Sequence, residues 1–333
     1  MNLELEGFRV IDEIGRGGFG TVYRAEDVAH GRDVAIKVLE GVPNDDARRR
    51  FDRERRAMGT LSGHPHIAVV HTSGALADGR PYLVMEMLQG GSLADRLRRD
   101  GPLPLDEVLS IGDALCEALD HAHQGRVLHL DLKPENVLFS SFGRAKVVDF
   151  GIAALIDDET GTTTIRATPA FADPVVLDGH PGTVQSDVYG LASTLFALLT
   201  ARQPYGEDSG ALAVLRRVAT EPVPRVERPD VPPAVADAIQ RGMAKDPADR
   251  HPSVAEFRRE LDWARRQPVA APAAPHRSPA TATNWSPATA PVDPAFVPVT
   301  APAPAGPDRS TVIGISLLAV SAVLLVLIIA SQL

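Results

Sequence analysis

Eight residues, His129-Leu130-Asp131-Leu132-Lys133-Pro134-Glu135-Asn136, constrain this chain more than any other stretch. They set a carboxylate, an ammonium and a side-chain amide on one short loop, with the apolar runs Val127-Leu128 before it and Val137-Leu138-Phe139 after it. That is more polar chemistry than a structural loop needs. Asp131 can take a proton from an incoming hydroxyl, and Lys133 can neutralise an anion passing beside it. A second carboxylate, Asp149, comes 18 residues after Asp131, behind the strand-like Ala145-Lys146-Val147-Val148, and faces the same place if the intervening segment is a hairpin. Asn136 and Asp149 then supply oxygens to a hard divalent cation. Together these are the parts that phosphoryl transfer requires.

With 333 residues, 44% of them hydrophobic and 23% charged, the chain can bury a large core. A net charge of -9 argues against a general nucleic-acid-binding surface. The single cysteine, Cys116, excludes a disulfide within the chain and sits among Leu115, Leu119 and Ala122 as a small core residue. The opening Met1-Asn2-Leu3-Glu4-Leu5-Glu6 is acidic and alternating, so no signal peptide is expected there. Residues 312–330 form an uncharged apolar run of 19 residues, about the length that crosses a ~30 Å hydrocarbon core, and only Ser331-Gln332-Leu333 lie beyond it.

Three strands are expected early: Phe8-Arg9-Val10-Ile11, Val22-Tyr23-Arg24-Ala25 and Asp33-Val34-Ala35-Ile36-Lys37-Val38-Leu39. Between the first two, Gly15-Arg16-Gly17-Gly18-Phe19-Gly20 is a turn whose backbone amides can approach phosphate oxygens unobstructed. A strand follows it where a dinucleotide-binding fold would start a helix. Lys37, amid apolar neighbours, needs an anionic partner. The helical stretch 45–61 offers Asp52 and Glu54, and its arginines 48, 49, 50, 53, 55 and 56 read as a solvated face, with a docking surface for an acidic partner as the alternative. Tyr82-Leu83-Val84-Met85-Glu86-Met87-Leu88 reads as an apolar strand running into Gln89-Gly90-Gly91. Leu105, Val108, Leu109, Leu115, Leu119 and Ala122 repeat at helical spacing and lead into the polar loop, with His121 and His123 at the helix end. Further helices are expected from Ser186 to Leu199, and over 211–219, 233–244 and 253–265. Asp187 could cap the first turn of its helix. Residues 268–307 carry 11 prolines among alanine and threonine and cannot fold a core; as a coil they span about 35 Å.

The Asp131-Leu132-Lys133-Pro134-Glu135-Asn136 loop, Asp149-Phe150-Gly151, the glycine run and Val34-Ala35-Ile36-Lys37 occur in the order seen in protein kinases. From Phe8 to Ala264 the chain resembles bacterial transmembrane serine/threonine protein kinases of the eukaryotic-like type, most closely those of actinobacteria. The resemblance implies an α+β, two-lobed kinase domain over 8–264, with a β-rich lobe over 8–88 and a helical lobe over 89–264. A Pro/Ala/Thr-rich disordered linker over 265–309 and a transmembrane helix over 311–331 complete the expected layout. It implies ATP held by Ile14, Gly15, Arg16, Gly17, Gly18, Phe19, Gly20, Thr21, Val22, Ala35 and Lys37, by the hinge backbone at Glu86 and Leu88, and by Leu138. Met85 would guard the pocket behind. Asp131 would deprotonate the substrate hydroxyl, Lys133 would steady the transferring group, and Lys37 paired to Glu54 would position the phosphates. Asn136 and Asp149 would hold Mg²⁺, or Mn²⁺. The family uses Asp187 to hold the catalytic-loop backbone, and Thr168-Pro169 would open the substrate-receiving segment.

Two positions depart from the pattern. Leu130 stands where the family has the arginine that binds a phosphorylated activation loop, which puts control through Thr162, Thr163 and Thr164 in doubt. Asp173-Pro174-Val175 stands where the family has Ala-Pro-Glu, so Arg250 lacks its usual glutamate and the lower lobe is expected to be weakened unless Asp173 substitutes. The implied partners are protein serine and threonine hydroxyls, ATP and a membrane, without nucleic acid. A homodimer for autophosphorylation stays open, because within the span no small residues recur at the four-residue spacing that favours close helix contact, save Ser310 with Gly314 at its edge. The expected location is a single-pass cell (inner) membrane protein with a cytoplasmic kinase domain and its C-terminus at the outer face. Two rival functions remain: a membrane-tethered pseudokinase scaffold, motivated by Leu130 and Val175, and a small-molecule phosphotransferase.

Overall fold

The computed structural model describes residues 5–17, 20–39, 59, 61, 63–150, 169–206 and 210–268, all within one compact unit, Met1–His276. Its first part is a five-stranded antiparallel sheet in the order β1-β2-β3-β5-β4. The strands are β1 (Phe8–Gly17), β2 (Gly20–Asp27), β3 (Arg32–Leu39), β4 (Val70–Ala75) and β5 (Pro81–Glu86). β1 outruns its expected end because the glycine run continues the ladder: Gly15 pairs with Val22, Arg16 with Thr21 and Gly17 with Gly20. Two register shifts in β1 accommodate the extra length. Gly20 has φ +139°, and a Cβ there would stand 2.1 Å from the Val38 carbonyl oxygen, so β3 can approach only because the side chain is missing. β5 ends at Glu86, two residues before the expected strand end, as the chain turns toward the second lobe.

The second lobe is helical: α1 (Leu93–Asp100), α2 (Leu105–Gln124), α3 (Pro174–Leu177), α4 (Val184–Thr200), α5 (Ala211–Thr220), α6 (Pro233–Gly242) and α7 (Val254–Ala264). A small antiparallel hairpin, β6 (Val137–Phe139) with β7 (Ala145–Val147), lies between α2 and α3, as the placement of Asp149 required. α4 is buried along Ser186 to Leu199, as expected for a helix with apolar residues all round. It begins at Val184, with Thr183 and Ser186 forming a capping box, so Asp187 is not its cap. α2, α4, α6 and α7 share one apolar core that also takes in Leu132, Val137, Val147 and Phe150. The loop 129–136 is therefore mounted on the lobe's main apolar core through Leu132.

Among the described residues no helix is long and apolar enough to cross a membrane. The segments 265–309 and 311–331 lie outside the described residues beyond Pro268, as do Gly18, Phe19, Glu54 and Thr162, Thr163, Thr164 and Thr168.

Candidate active site

The loop that follows α2 is held by groups the sequence spreads over 60 residues. The Asp187 carboxylate, fully buried on α4, accepts from the backbone N–H of His129 (2.9 Å) and of Leu130 (2.7 Å), and from His123 Nε2 (2.7 Å). It serves the loop rather than its own helix, so the cap expected from sequence alone is replaced by the family role. His129 is likewise buried. Its Nε2 donates to the Val148 carbonyl at 2.9 Å and its Nδ1 accepts from the Asp131 N–H at 3.2 Å, which fixes the tautomer. Its ring meets Phe150 edge-on at 4.8 Å. The loop and the segment after β7 that carries Asp149 are thus locked together, and Val148 N–H donates to the Asn136 carbonyl at 3.0 Å.

Asp131 is brought into contact with both neighbours named from sequence. Lys133 Nζ lies 3.0 and 2.8 Å from its two carboxylate oxygens, and Asn136 Nδ2 donates to Asp131 Oδ2 at 2.9 Å and to its backbone carbonyl at 2.7 Å. The amide orientation follows from that carbonyl, which only an N–H can satisfy. Across the cleft, Lys37 Nζ on β3 sits 2.6 Å from Asp149 Oδ2. Asp149 has φ +66°, a strained backbone held by its surroundings. Asn136 Oδ1 and Asp149 Oδ1 have no hydrogen-bond partner among the described residues. One amide oxygen and one carboxylate form an all-oxygen set that suits a hard divalent cation completed by phosphate and water oxygens. Among the described residues there is no group of three or more His, Cys, Asp or Glu arranged to hold a metal by itself.

The other expected nucleotide contacts are placed as follows. Ile14 is half-exposed on β1, Arg16 folds back onto Glu13 (3.1 and 2.9 Å), and Thr21 is buried on β2. Val22 pairs with Lys37, and Ala35 with Met85, so both lie in register across the sheet. Leu88 is buried just past β5, and Leu138 lies on β6, bridged to Ser92. The Glu86 side chain is engaged elsewhere: its Oε1 accepts from Lys146 Nζ (2.6 Å) and from the Val69 N–H (2.7 Å), while its own N–H donates to the Val69 carbonyl. The Glu86 side chain is therefore not available to a nucleotide. Lys146 escaped the sequence reading because its partner is 60 residues away and β7 reads as an ordinary strand.

The expected weakness at Arg250 is overturned. Asp173 meets it in a bidentate pair at 2.9 and 2.6 Å, with both residues buried. Arg250 also donates to the carbonyls of Ala244 (2.7 Å), Gln185 (3.0 Å) and Lys245 (3.0 Å). All five guanidinium N–H groups find acceptors. Asp173 reaches Arg250 because it is the N-cap of α3, accepting from Val175 N–H at 3.0 Å, which aims its carboxylate inward. Leu130, with φ +63°, packs on Gly182, where a Cβ would stand 2.4 Å from Leu130 Cδ2. Burial pushes the Cys116 thiol well above its ordinary value, in keeping with an inert core residue.

A β-sheet lobe over a helical lobe, with this loop between them, is the architecture of kinase domains. The *Mycobacterium tuberculosis* PknI kinase domain superposes with a TM-score of 0.63 at 30% identity, covering 78% of this chain and 96% of that one. The chain belongs to the protein kinase family, whose domain model matches residues 8–259. Among curated relatives, the serine/threonine-protein kinase PknK of *M. tuberculosis* is 46% identical over 267 residues, covering 79% of this chain. The probable serine/threonine-protein kinase PknB of *Lactococcus lactis* is 40% identical over 257 residues, covering 75%. The chain spans 24% of the length of PknK and 40% of that of PknB.

Proposed function

We propose that the chain is a serine/threonine protein kinase that transfers the ATP γ-phosphate to protein hydroxyls. The observation that carries this reading is the Asp131–Lys133–Asn136 cluster, fixed from behind by Asp187 and facing the Lys37–Asp149 pair. Asp131 accepts the substrate hydroxyl proton as the hydroxyl oxygen bonds to the γ-phosphorus and the bond to the β–γ bridging oxygen breaks, releasing ADP. Lys133, in contact with Asp131, offsets charge on the transferring group, and Lys37, paired to Glu54 in the family pattern, would position the phosphates. Asn136 and Asp149 would hold Mg²⁺ or Mn²⁺, which supplies charge neutralisation on the phosphates when bound. Backbone groups at Glu86 and Leu88, the run from Ile14 to Val22, and Ala35 with Leu138 would enclose the nucleotide.

The chain's composition supports a membrane-tethered signalling kinase: a Pro/Ala/Thr-rich linker over 265–309, then an apolar span over 311–331. The scaffold alternative keeps only Leu130 as motive, since Asp173 supplies Arg250. The test is phosphate incorporation from labelled ATP with Mg²⁺ or Mn²⁺ by the full chain, with Asp131→Asn in parallel. Incorporation abolished by Asp131→Asn supports the reading. A wild-type chain that binds ATP yet transfers nothing with either metal would put the scaffold first.

A further inference from the structure

Most arginines of this fold are matched to carboxylates: Arg24 to Asp12, Arg80 to Asp78 and Arg258 to Asp113 and Glu117, among others. Arg202, Arg216 and Arg217 have no carboxylate at ion-pair distance among the described residues. They lie on consecutive elements, Arg202 in the connection after α4 and the other two on α5. Arg217 folds onto the end of that connection, with Nη1 3.0 Å from where a Gly206 Cβ would stand. Its Nη2 is shielded from water and has no hydrogen-bond partner among the described residues, while Arg216 beside it is exposed. A shielded guanidinium nitrogen without an acceptor is unfavourable until an anion supplies one.

α5 is joined to the substrate-receiving segment. Val214 and Val218 share an apolar cluster with Tyr205 and with Ala170 and Phe171, the residues directly after Pro169. The Lys245 ammonium ties the same parts together, donating to the Tyr205 hydroxyl and the Val218 carbonyl. Pro169, part-exposed at the start of that segment, is thereby linked through one apolar cluster to the helix that carries Arg217.

Resting on the kinase reading above, we propose that Arg217 is a specificity-determining subsite for an anionic group on the protein substrate, a carboxylate or a phosphate. Its guanidinium, once turned toward the ligand, donates charge-assisted hydrogen bonds to either group.

The test uses the full chain and a series of serine peptides in which Ala, Asp, Glu or phosphoserine is placed in turn at each position flanking the acceptor. One position is expected to raise kcat/KM about tenfold over Ala, chiefly through KM, when it carries an anion. A larger gain with phosphoserine than with Asp or Glu assigns the subsite to phosphate, and an equal or smaller one to carboxylates. In Arg217→Gln the anionic-to-Ala ratio falls to about one, and Arg217→Lys, which keeps the charge without the fork, retains part of it. Thermal midpoints of both variants are read alongside, and the ratio is internal to each, so partial unfolding does not mimic the result. Equal kcat/KM for all peptides in the wild type, or an anion preference that survives Arg217→Gln, overturns the proposal alone. Failure to label any peptide or protein would remove the kinase reading and this subsite with it.

Discussion

Replacing Asp173 by alanine tests the finding that departs furthest from the sequence pattern. Arg250 is only 2% exposed, and Asp173 is the one carboxylate paired with it among the described residues. Losing one partner of a buried pair costs about 3–5 kcal/mol, because the other charge stays buried. Arg250 keeps its bonds to Ala244, Gln185 and Lys245, so the lower end, about 3 kcal/mol, is expected. For a domain of this size that corresponds to a fall in thermal midpoint of about 6–12 °C. Removing both charges in Asp173→Ala with Arg250→Met should recover part of the loss, since no unpaired charge remains. Val175→Glu should give no gain, because every Arg250 N–H already has an acceptor. The assay is thermal unfolding of the four chains followed by circular dichroism. A midpoint for Asp173→Ala within about 2 °C of wild type would refute the reasoning, as would stabilisation by Val175→Glu.

Asp187→Ala removes the acceptor for two loop N–H groups and for His123, and is expected to lower kcat about a hundredfold with a smaller change in the KM for ATP, read from steady-state kinetics. Glu86→Gln breaks the pair with Lys146 but leaves the hinge backbone in place, so the thermal midpoint should fall while the KM for ATP changes less than about threefold. Burial holds the His64 and His251 imidazoles below the usual histidine value; His121 and His66 push His64 the same way, and Glu117 opposes them. These groups are neutral in the fold and protonate more readily in the unfolded chain. The stability they contribute is therefore present above about pH 6.5 and is lost as pH falls toward their depressed values. Midpoints measured between pH 7.5 and 5.5 should drop on acidification, and less steeply in His64→Gln.

What the sequence made legible was local. The catalytic loop was readable because its chemistry lies within eight residues, and the β6–β7 hairpin because Asp149 needed it. α1 went unread although Ser92 and Asp95 form a capping box that residue type alone announces. β4 went unread because its alternation is weak and much of it is solvent-facing. Long-range polar pairs were the real loss. Glu86 with Lys146 and Asp173 with Arg250 join residues 60 and 77 apart, and no spacing rule connects them. The sequence offers Asp173 as a substitute for the missing glutamate, but the direction of its side chain depends on its place as an N-cap, which appears only once the backbone is built.

Leu130 shows how these links bear on control. An arginine at that position would offer a phosphorylated loop a cationic partner, whereas the leucine here spends its side chain on Gly182. The catalytic-loop backbone on either side of it is nonetheless fixed, by Asp187 at His129 and Leu130 and by His129 itself at Asp131 and Val148. Each of those anchors is buried, and Asp187 belongs to the central helix of the lobe, so none needs a phosphate to form. The orientation of Asp131 is therefore a property of the folded lobe. If phosphate on Thr162, Thr163 or Thr164 alters activity, it must act through groups other than residue 130. Leu130→Arg separates the two cases: it should leave the rate of the unphosphorylated chain within about threefold, and it should make activity respond to phosphate only if a threonine phosphate reaches the new guanidinium.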